Sequence, residues 1–298
     1  MRKGVLLALL AAALNGTIGI FSKVLIESGM TIEAIAFLKT LLAFILITLL
    51  LGRQTQRSQL QEIQTAFTSV TTLLLQIAFC AFLGIFVLFF FETTAYQYGQ
   101  AANVVVVLMA AAAVSALIGG WLLLAEKITL SAILGTLVAI TGIFIISWAG
   151  SSSWQAVLYA ALAGSGYGIF SVLVKRFDLK GGLPLTKMLM LFGAIFLFIP
   201  FVQNLQPIDW NISVVLNLLA LAALPTLLGF YCITKALVCI SAANVQVTGL
   251  SEPIFSMLLA WIFLNEVPTS QFFLGAACII IGIIFINQLY RVSPKTEG

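Results

Sequence analysis

Histidine is absent from this 298-residue chain, and charged residues make up only 8% of it. Without histidine the chain cannot build a nucleophilic triad or a metal site that depends on imidazole. Soluble domains are about one-quarter charged, so a chain this poor in charge and 62% hydrophobic is predicted to lie in a membrane. The four cysteines, Cys80, Cys232, Cys239 and Cys278, match neither a disulfide nor a zinc pattern and are interpreted as packing residues.

Long apolar runs account for most of the sequence. A helix needs about 20 mostly apolar residues to cross a hydrocarbon core of about 30 Å. Ten runs meet this requirement, at 4–26, 31–51, 70–94, 100–124, 130–148, 154–174, 183–201, 213–238, 242–264 and 271–289. The connections between them are too short for a soluble catalytic or nucleic-acid-binding domain. We therefore predict an all-α integral membrane protein with ten transmembrane helices that is not an enzyme.

The second half of the chain repeats motifs of the first half in the same order. Gly19-Ile20-Phe21-Ser22 returns as Gly168-Ile169-Phe170-Ser171, Ala101-Ala102-Asn103 returns as Ala242-Ala243-Asn244, and the set Glu126, Thr129, Leu134, Gly135, Gly142 returns as Glu266, Thr269, Leu274, Gly275, Gly282. We divide the chain into two five-helix repeats, 1–149 and 150–298, within a single membrane domain. Repeated halves of this kind are typical of secondary transporters, whose binding site lies where the halves meet.

An odd number of spans in each repeat requires the second copy to enter the membrane from the opposite face. Loop charge tests this, because Lys and Arg are enriched on cytoplasmic loops. The loop after the first helix carries Glu27 and Glu33, whereas the loop after the sixth carries Lys175, Arg176 and Lys180. We predict inverted repeats in a bacterial-type plasma (inner) membrane, with both termini cytoplasmic. The basic excess is then a topology signal and does not indicate nucleic-acid binding.

A group of motifs in the two copies also occurs together in a known family. In the second copy these are Leu250-Ser251-Glu252-Pro253-Ile254-Phe255, Leu264-Asn265-Glu266 and the interval from Gly275 to Gly282. In the first copy they are the stretch from Asn15 to Lys23 and Phe37-Leu38-Lys39. The chain thereby resembles EamA-type transporters of the drug/metabolite transporter superfamily. The resemblance implies a ten-helix fold, alternating access and transport of small metabolites, often amino acids or amines and frequently outward.

Glu252 is the leading candidate for a functional residue. It lies about ten residues, or roughly 15 Å, into the ninth predicted helix and therefore near the bilayer midplane. A carboxylate at that depth costs at least about 2.5–3.5 kcal/mol, so it should face a cavity, a partner or a proton rather than lipid. Pro253 removes a backbone donor and is expected to open the helix. The alternative is a structural hydrogen bond that holds the kink.

Other polar side chains are predicted to join Glu252 in contacting a substrate. Asn15 and Tyr167 lie near the midplane at similar places in the two repeats, and Gln246 has only Val105 at its repeat position. The full predicted set is Glu252, Asn15, Tyr167, Gln246, Tyr231, Asn244 and Asn103. Asn103 and Asn244 also lie near helix starts, where Asn is a favourable N-cap, so capping competes with substrate contact for both.

Four charged residues are predicted to gate or couple transport: Glu92, Lys39, Lys23 and Lys235. Glu92 is expected to pair with Lys23 or Lys39 toward the outer end, where an ion pair that forms and breaks would control access. Lys235 would lie near the cytoplasmic end. For all but Lys39, which lies deeper, the alternative is a side chain that extends to the membrane interface.

The sequence thus predicts a secondary transporter of a small polar or zwitterionic metabolite such as an amino acid, with export as the direction that the resemblance implies. An alternative carrier has Tyr231, Tyr167 and nearby Phe residues as an aromatic cage for a choline-like quaternary amine or a cationic drug. A channel fits the inverted duplication and the helix opening at Pro253 less well. A membrane-embedded enzyme would need a cluster of nucleophile, base or metal ligands at one depth, and apart from Glu252 the sequence offers none. No cofactor or metal is predicted. The expected partners are the substrate, the lipid bilayer and either a proton or a counter-substrate, with monomer and homodimer both open.

Overall fold

The computed structural model describes residues 2–52, 62–63, 69–99, 101–126, 129–147, 153–264 and 270–287. In this part of the chain the backbone forms helices and no strands. The helices are α1 (Arg2–Asn15), α2 (Ile18–Glu27), α3 (Ile32–Leu51), α4 (Val70–Ala81), α5 (Leu88–Tyr98), α6 (Ala101–Leu124), α7 (Leu130–Ser147), α8 (Trp154–Arg176), α9 (Leu183–Gln203), α10 (Ile212–Leu221), α11 (Phe230–Cys239), α12 (Ala242–Gly249), α13 (Glu252–Leu264) and α14 (Ser270–Asn287). Two π-helical segments, Phe82–Val87 and Ala222–Gly229, join α4 to α5 and α10 to α11.

Seven helical stretches among the described residues are long and apolar enough to cross a membrane. They are Arg2–Glu27, Ile32–Leu51, Val70–Tyr98, Val104–Leu124, Trp154–Arg176, Leu183–Gln203 and Ile212–Cys239. Two shorter apolar helices, Leu130–Gly142 and Phe273–Phe285, fall within predicted runs, and α12 and α13 together occupy the ninth. The all-helical membrane character is confirmed, and the count of ten spans stays a prediction.

Serine, threonine and asparagine side chains mark where several helices begin. Thr31, Ser69, Ser153, Asn211 and Ser241 each accept a hydrogen bond from the backbone N–H three residues later. Each thereby satisfies one of the N–H groups that the first helical turn leaves unpaired. These caps fix where the apolar helices α3, α4, α8, α10 and α12 begin.

Two of the predicted transmembrane runs form helices that are broken near their middle. The first run is interrupted at Gly16 and Thr17, where the Thr17 hydroxyl donates to the Leu14 carbonyl at 2.7 Å. The ninth run is interrupted between Gly249 and Glu252. Pro253 then takes the second position of α13, where its missing N–H costs nothing. The expected opening beside Pro253 is therefore present, whereas the break in the first run was not predicted.

The two π segments interrupt the third and eighth predicted runs, which are equivalent in the two repeats. A π segment contains wider turns than an α-helix and often occurs at functional sites. In the second segment Pro225 cannot donate a backbone hydrogen bond. In the first, Gly84 packs directly against the Phe170 ring of α8, where a Cβ would collide with it.

Glycines bring α7 and α14 into backbone contact. A Cβ added to Gly142 would lie 2.5 Å from the Gly275 carbonyl oxygen, and one added to Gly282 would lie 2.5 Å from that of Gly135. Because the later residue of α7 meets the earlier residue of α14 and the reverse, the two helices run antiparallel here. Small residues allow this close approach in lipid, where packing drives helix association.

We expect Gly142→Ala to separate α7 from α14 and to destabilise the protein by about 1–3 kcal/mol, because the new methyl group meets a backbone carbonyl that cannot rotate away. Gly249→Ala is the matched control, since its Cβ would meet only the Met109 sulfur at 3.7 Å. The measurement is the melting temperature of detergent-purified protein. Equal melting temperatures for wild type and Gly142→Ala would contradict the contact.

Candidate functional site

A small cavity lies between the two halves of the chain. Its polar lining consists of Asn15, Lys39, Glu92, Tyr167, Thr226 and Glu252, which come from α1, α3, α5, α8, the second π segment and α13. The space open to the centre of a water molecule is about 20 Å³, enough for about one water. Ligand pockets usually measure about 300–1,000 Å³. The cavity therefore brings five of the predicted residues together in a closed arrangement.

Glu252 and Asn15 meet where the two broken helices face each other. Glu252 is the first residue of α13, Asn15 is the last residue of α1, and their side chains are hydrogen-bonded. Gly16 permits this approach, because a Cβ there would lie 3.0 Å from the Ser256 backbone nitrogen. The Ser256 hydroxyl donates to the Gly16 carbonyl at 3.0 Å. The positive end of α13 also points into this region and favours negative charge there.

Lys39 and Glu92 form the second polar group of the cavity. The Lys39 ammonium lies over the Phe89 ring, 4.1 Å from its centroid, and its charge attracts the Glu92 carboxylate. The Tyr96 hydroxyl donates to Glu92 Oε1 at 3.3 Å. Charged groups inside a membrane protein are normally paired in this way, because each one alone is costly to bury. Lys39, rather than Lys23, is thus the lysine that the fold brings to Glu92.

Tyr167 is held in the cavity wall by a hydrogen-bond chain. The Gln246 amide donates to the Ser171 hydroxyl at 2.6 Å, and Ser171 donates to the Tyr167 carbonyl at 3.1 Å. The Tyr167 side chain in turn hydrogen-bonds Gln246. Gln246 is fully buried behind Tyr167, outside the described cavity lining. It therefore positions Tyr167 and does not itself reach the cavity.

The same position in the first repeat lacks this chain. Ser22 is the repeat counterpart of Ser171, and Val105 that of Gln246. The Ser22 hydroxyl is buried and has no hydrogen-bond partner among the described residues. Valine cannot supply the donor that glutamine supplies in the second repeat. The two repeats have therefore diverged in the polar groups next to the cavity.

Aromatic rings form the apolar wall of the cavity. The Phe230 ring centroid lies 5.4 Å from that of Phe89, 6.0 Å from that of Phe170 and 6.3 Å from that of Tyr167. Ring centroids at these separations pack favourably in tilted or edge-to-face geometry. Phe89, Tyr167 and Phe230 line the cavity directly. The wall can therefore contact an apolar part of a ligand, or a cation over a ring face.

Four other predicted residues lie away from the cavity lining that the structure describes: Tyr231, Asn244, Lys23 and Lys235. Tyr231, Asn244 and Lys235 are half-buried, and Lys23 is exposed on α2. The interpretation of Asn244 as a helix cap was wrong, because Ser241 caps α12 and accepts from the Asn244 N–H at 3.1 Å. The side chain of Asn103 lies outside the described residues.

Several residues at the site were missed by sequence reasoning. Phe89, Phe230 and Thr226 carry no signal that separates them from ordinary apolar packing in a membrane helix. Tyr96 could have been found, because it lies one helical turn after Glu92 and can reach its carboxylate. In the sequence Ser171 stands out only as the repeat counterpart of Ser22. Its contact with Gln246, which distinguishes the second copy, is visible only in the structure.

A lysine also joins α8 to the end of α11. Lys175 donates to the Leu237 and Ile240 carbonyls at 3.2 and 2.7 Å, which satisfies groups that the end of α11 leaves unpaired. Burial raises the pKa of the nearby Glu126 carboxyl, and the Lys175 charge opposes this rise. In the sequence Lys175 is only a topology signal. The structure shows that it fastens one end of the bundle.

We expect Lys39→Met to destabilise the protein, by about 3–5 kcal/mol where Glu92 is left ionised. The loss should be smaller in acidic buffer, because a proton on Glu92 can replace the missing positive charge. Melting temperatures in detergent at acidic and mildly alkaline pH test this.

Two variants control for other effects of that substitution. Lys39→Met combined with Glu92→Gln should regain stability in alkaline buffer, and Lys23→Met, at an exposed position, should melt like wild type. A pH-independent loss in Lys39→Met that Glu92→Gln does not relieve would show that Lys39 acts through packing alone.

Comparison with known proteins identifies a family whose model matches most of the chain. A model of the EamA-like transporter family matches residues 2–148 and 154–288. A stretch of 187 residues, 61% of this chain, is 29% identical to a riboflavin transporter of Vibrio cholerae. A stretch of 177 residues, 55% of this chain, is 27% identical to a probable terminal-alkyne amino-acid exporter of Streptantibioticus cattleyicolor. The matches span 55–61% of the lengths of the curated relatives.

A solved crystal structure has the same fold. It superimposes with a TM-score of 0.74 over 97% of this chain and 98% of that chain, at 19% sequence identity. At this identity the likeness concerns the fold alone.

Proposed function

This chain belongs to the EamA-like transporter family, and we propose that it carries a small polar or zwitterionic metabolite, such as an amino acid, out across the plasma membrane by alternating access. Its relatives are named as transporters, which makes it a transporter rather than an enzyme. What we propose beyond this is the substrate, the direction of transport and the transport mechanism.

The observation that carries the proposal is the closed polar cavity between the halves. Its charged residues come from both halves, and two of its polar residues lie at helix breaks that face each other. Broken helices near the midplane are how many transporters present backbone and side-chain groups to a substrate. Because the cavity holds about one water molecule, a substrate can enter only after helices move apart. Such closure favours a carrier over an open pore.

Features of the fold support ten spans in two inverted repeats. The glycine contact between α7 and α14 is reciprocal, so equivalent residues of the two repeats exchange roles across it. A twofold axis between antiparallel copies would produce this pattern. The π segments occupy equivalent runs, and the family model matches in two stretches that coincide with the repeats. The loop charges support a cytoplasmic position for both termini.

An amino acid suits the cavity better than a large ring system. Glu252 can receive an ammonium group, and Lys39 or the start of α13 can receive a carboxylate. One relative is named as an exporter of an amino acid, and another as a transporter of riboflavin. A quaternary amine is a second candidate, because the Lys39 ammonium already rests over the Phe89 ring and shows that a ring face here accepts a cation.

Counterflow in proteoliposomes tests transport directly. We expect preloaded amino acid to accelerate uptake of the labelled compound with saturable kinetics. Glu252→Gln should lower the rate at least about tenfold, the equivalent of 1.4 kcal/mol in the barrier, because it removes the negative charge that receives the ammonium group. Glu27→Gln, at an exposed acidic residue on α2, is the matched control and should transport like wild type.

Other counterflow results would change the proposal. Exchange driven by choline but by no amino acid would favour the quaternary amine. Flux that rises linearly with concentration would indicate a pore. Normal counterflow in a folded Glu252→Gln protein would remove Glu252 from the site.

Cysteine labelling tests the inverted arrangement. We expect Glu27→Cys and Lys180→Cys, in equivalent loops of the two repeats, to react with a membrane-impermeant maleimide from opposite faces. The background should lack Cys80, Cys232, Cys239 and Cys278. Labelling of both positions from the same face would contradict inverted repeats.

A further inference from the structure

The cavity contains more acidic than basic side chains. Glu92, Glu252 and Lys39 are the only charged residues in its described lining, and their exposed fractions are 4%, 2% and 1%. If all three were ionised, the cavity would carry one uncompensated negative charge. An isolated charge in such surroundings is strongly disfavoured, and the usual response is uptake of a proton.

The two carboxylates differ in what faces them. Glu92 is attracted by Lys39 from α3 and receives a hydrogen bond from Tyr96 on its own helix. Glu252 faces the neutral Asn15 amide from α1, the like charge of Glu92 and the hydroxyl of Tyr96 from α5, and the hydroxyl of Tyr167 from α8. The partial positive charge at the start of α13 helps Glu252 by less than a full counter-charge would. The lysine therefore balances Glu92, and no cation among the described residues of the lining is left for Glu252.

From this arrangement we propose that Glu252 holds a proton while the cavity is empty, and exchanges that proton for the ammonium group of a substrate. The inference rests on the proposed carrier function and narrows its substrates to small organic molecules with one net positive charge on nitrogen, such as an amine or a basic amino acid. It also names the coupling partner, since each amine that enters displaces one proton.

The charges balance in both states. In the empty cavity Lys39 cancels Glu92, and the protonated Glu252 is neutral. When the amine enters, the O–H bond of Glu252 breaks, the proton passes to water on the side to which the cavity is open, and the carboxylate that remains pairs with the ammonium. The cavity again has no net charge from these groups. Both loaded forms can thus be enclosed by the helices without an unpaired charge, whereas an empty, ionised Glu252 cannot.

Such an exchange sets the direction of coupled transport. A proton that binds Glu252 from one side of the membrane must be replaced by an amine on the other side, so the two move in opposite directions. A proton gradient directed into the cell would then drive the amine outward. In this cycle Lys39 stays in place as a fixed counter-charge, in agreement with the attraction of Glu92 for its ammonium and with the position of that ammonium over the Phe89 ring.

Infrared spectroscopy of the purified protein in lipid tests the proton without any substrate. At neutral pH we expect the C=O band of one protonated buried carboxylic acid. Glu252→Gln should remove it, and Glu27→Gln should leave it unchanged. Lys39→Met should raise its intensity about twofold, because Glu92 then needs a proton as well. A band of equal intensity in wild type and Glu252→Gln, or no increase in Lys39→Met, would overturn the proposal.

A second measurement tests the exchange, with methylammonium as the smallest amine and methanol as its uncharged match. Saturating methylammonium chloride should abolish the band of wild type and release about one proton per bound amine into weakly buffered solution. Methanol and an equal concentration of sodium chloride should do neither. A band that methylammonium leaves intact would overturn the exchange step.

The two kinds of failure can be told apart. If the infrared bands behave as expected but neither an amino acid nor choline shows counterflow, the charge exchange stands and the proposed carrier is refuted. Counterflow of an uncharged or anionic metabolite, together with an unchanged band in Glu252→Gln, would refute the inference and leave the carrier intact.

Discussion

The need to neutralise charge inside hydrocarbon governs the arrangement of this protein's interior. Three ionisable side chains are buried in one cavity, and each must find a partner or give up its charge. Lys39 and Glu92 do so together, with the Phe89 ring and the Tyr96 hydroxyl as further support. Glu252 has an amide and a helix start instead of a cation. Both carboxylates are buried, and they differ in the charged and polar groups that surround them.

Close helix packing makes this arrangement possible. Gly16 lets α13 approach α1, so that Asn15 and Glu252 meet across two helix breaks. Gly84 performs a similar task for Phe170, which supports the aromatic wall of the cavity. In lipid, where apolar side chains gain little by leaving the solvent, such contacts supply much of the cohesion between helices. Residues without a side chain thus determine where the charged residues can lie.

Divergence between the repeats gives a nearly symmetric frame an asymmetric site. Glu252 has Ala111 in the first copy, and Gln246 has Val105. The two repeats still resemble each other in their π segments and in the glycines of α7 and α14. Under the proposed alternating access, a frame that moves between two equivalent states needs this symmetry, whereas an asymmetric substrate needs a site that lacks it. The Ser22 hydroxyl, which has no hydrogen-bond partner in the described part of the chain, is one position where the two copies now differ.

The sequence alone determined the membrane environment and the helical class, and it singled out Glu252 near the middle of its predicted span. Composition and run length respond to the bilayer and need no knowledge of neighbours, which is why Glu252 could be found from its position and Pro253 from its missing donor. Only the tertiary structure decided that Lys39 meets Glu92, that Gln246 stands behind Tyr167, and that Tyr231 lies away from the cavity. Which face of a helix points inward, and which side chain meets it there, depends on packing between distant segments. In helices that are apolar on all sides, periodicity carries little of that information.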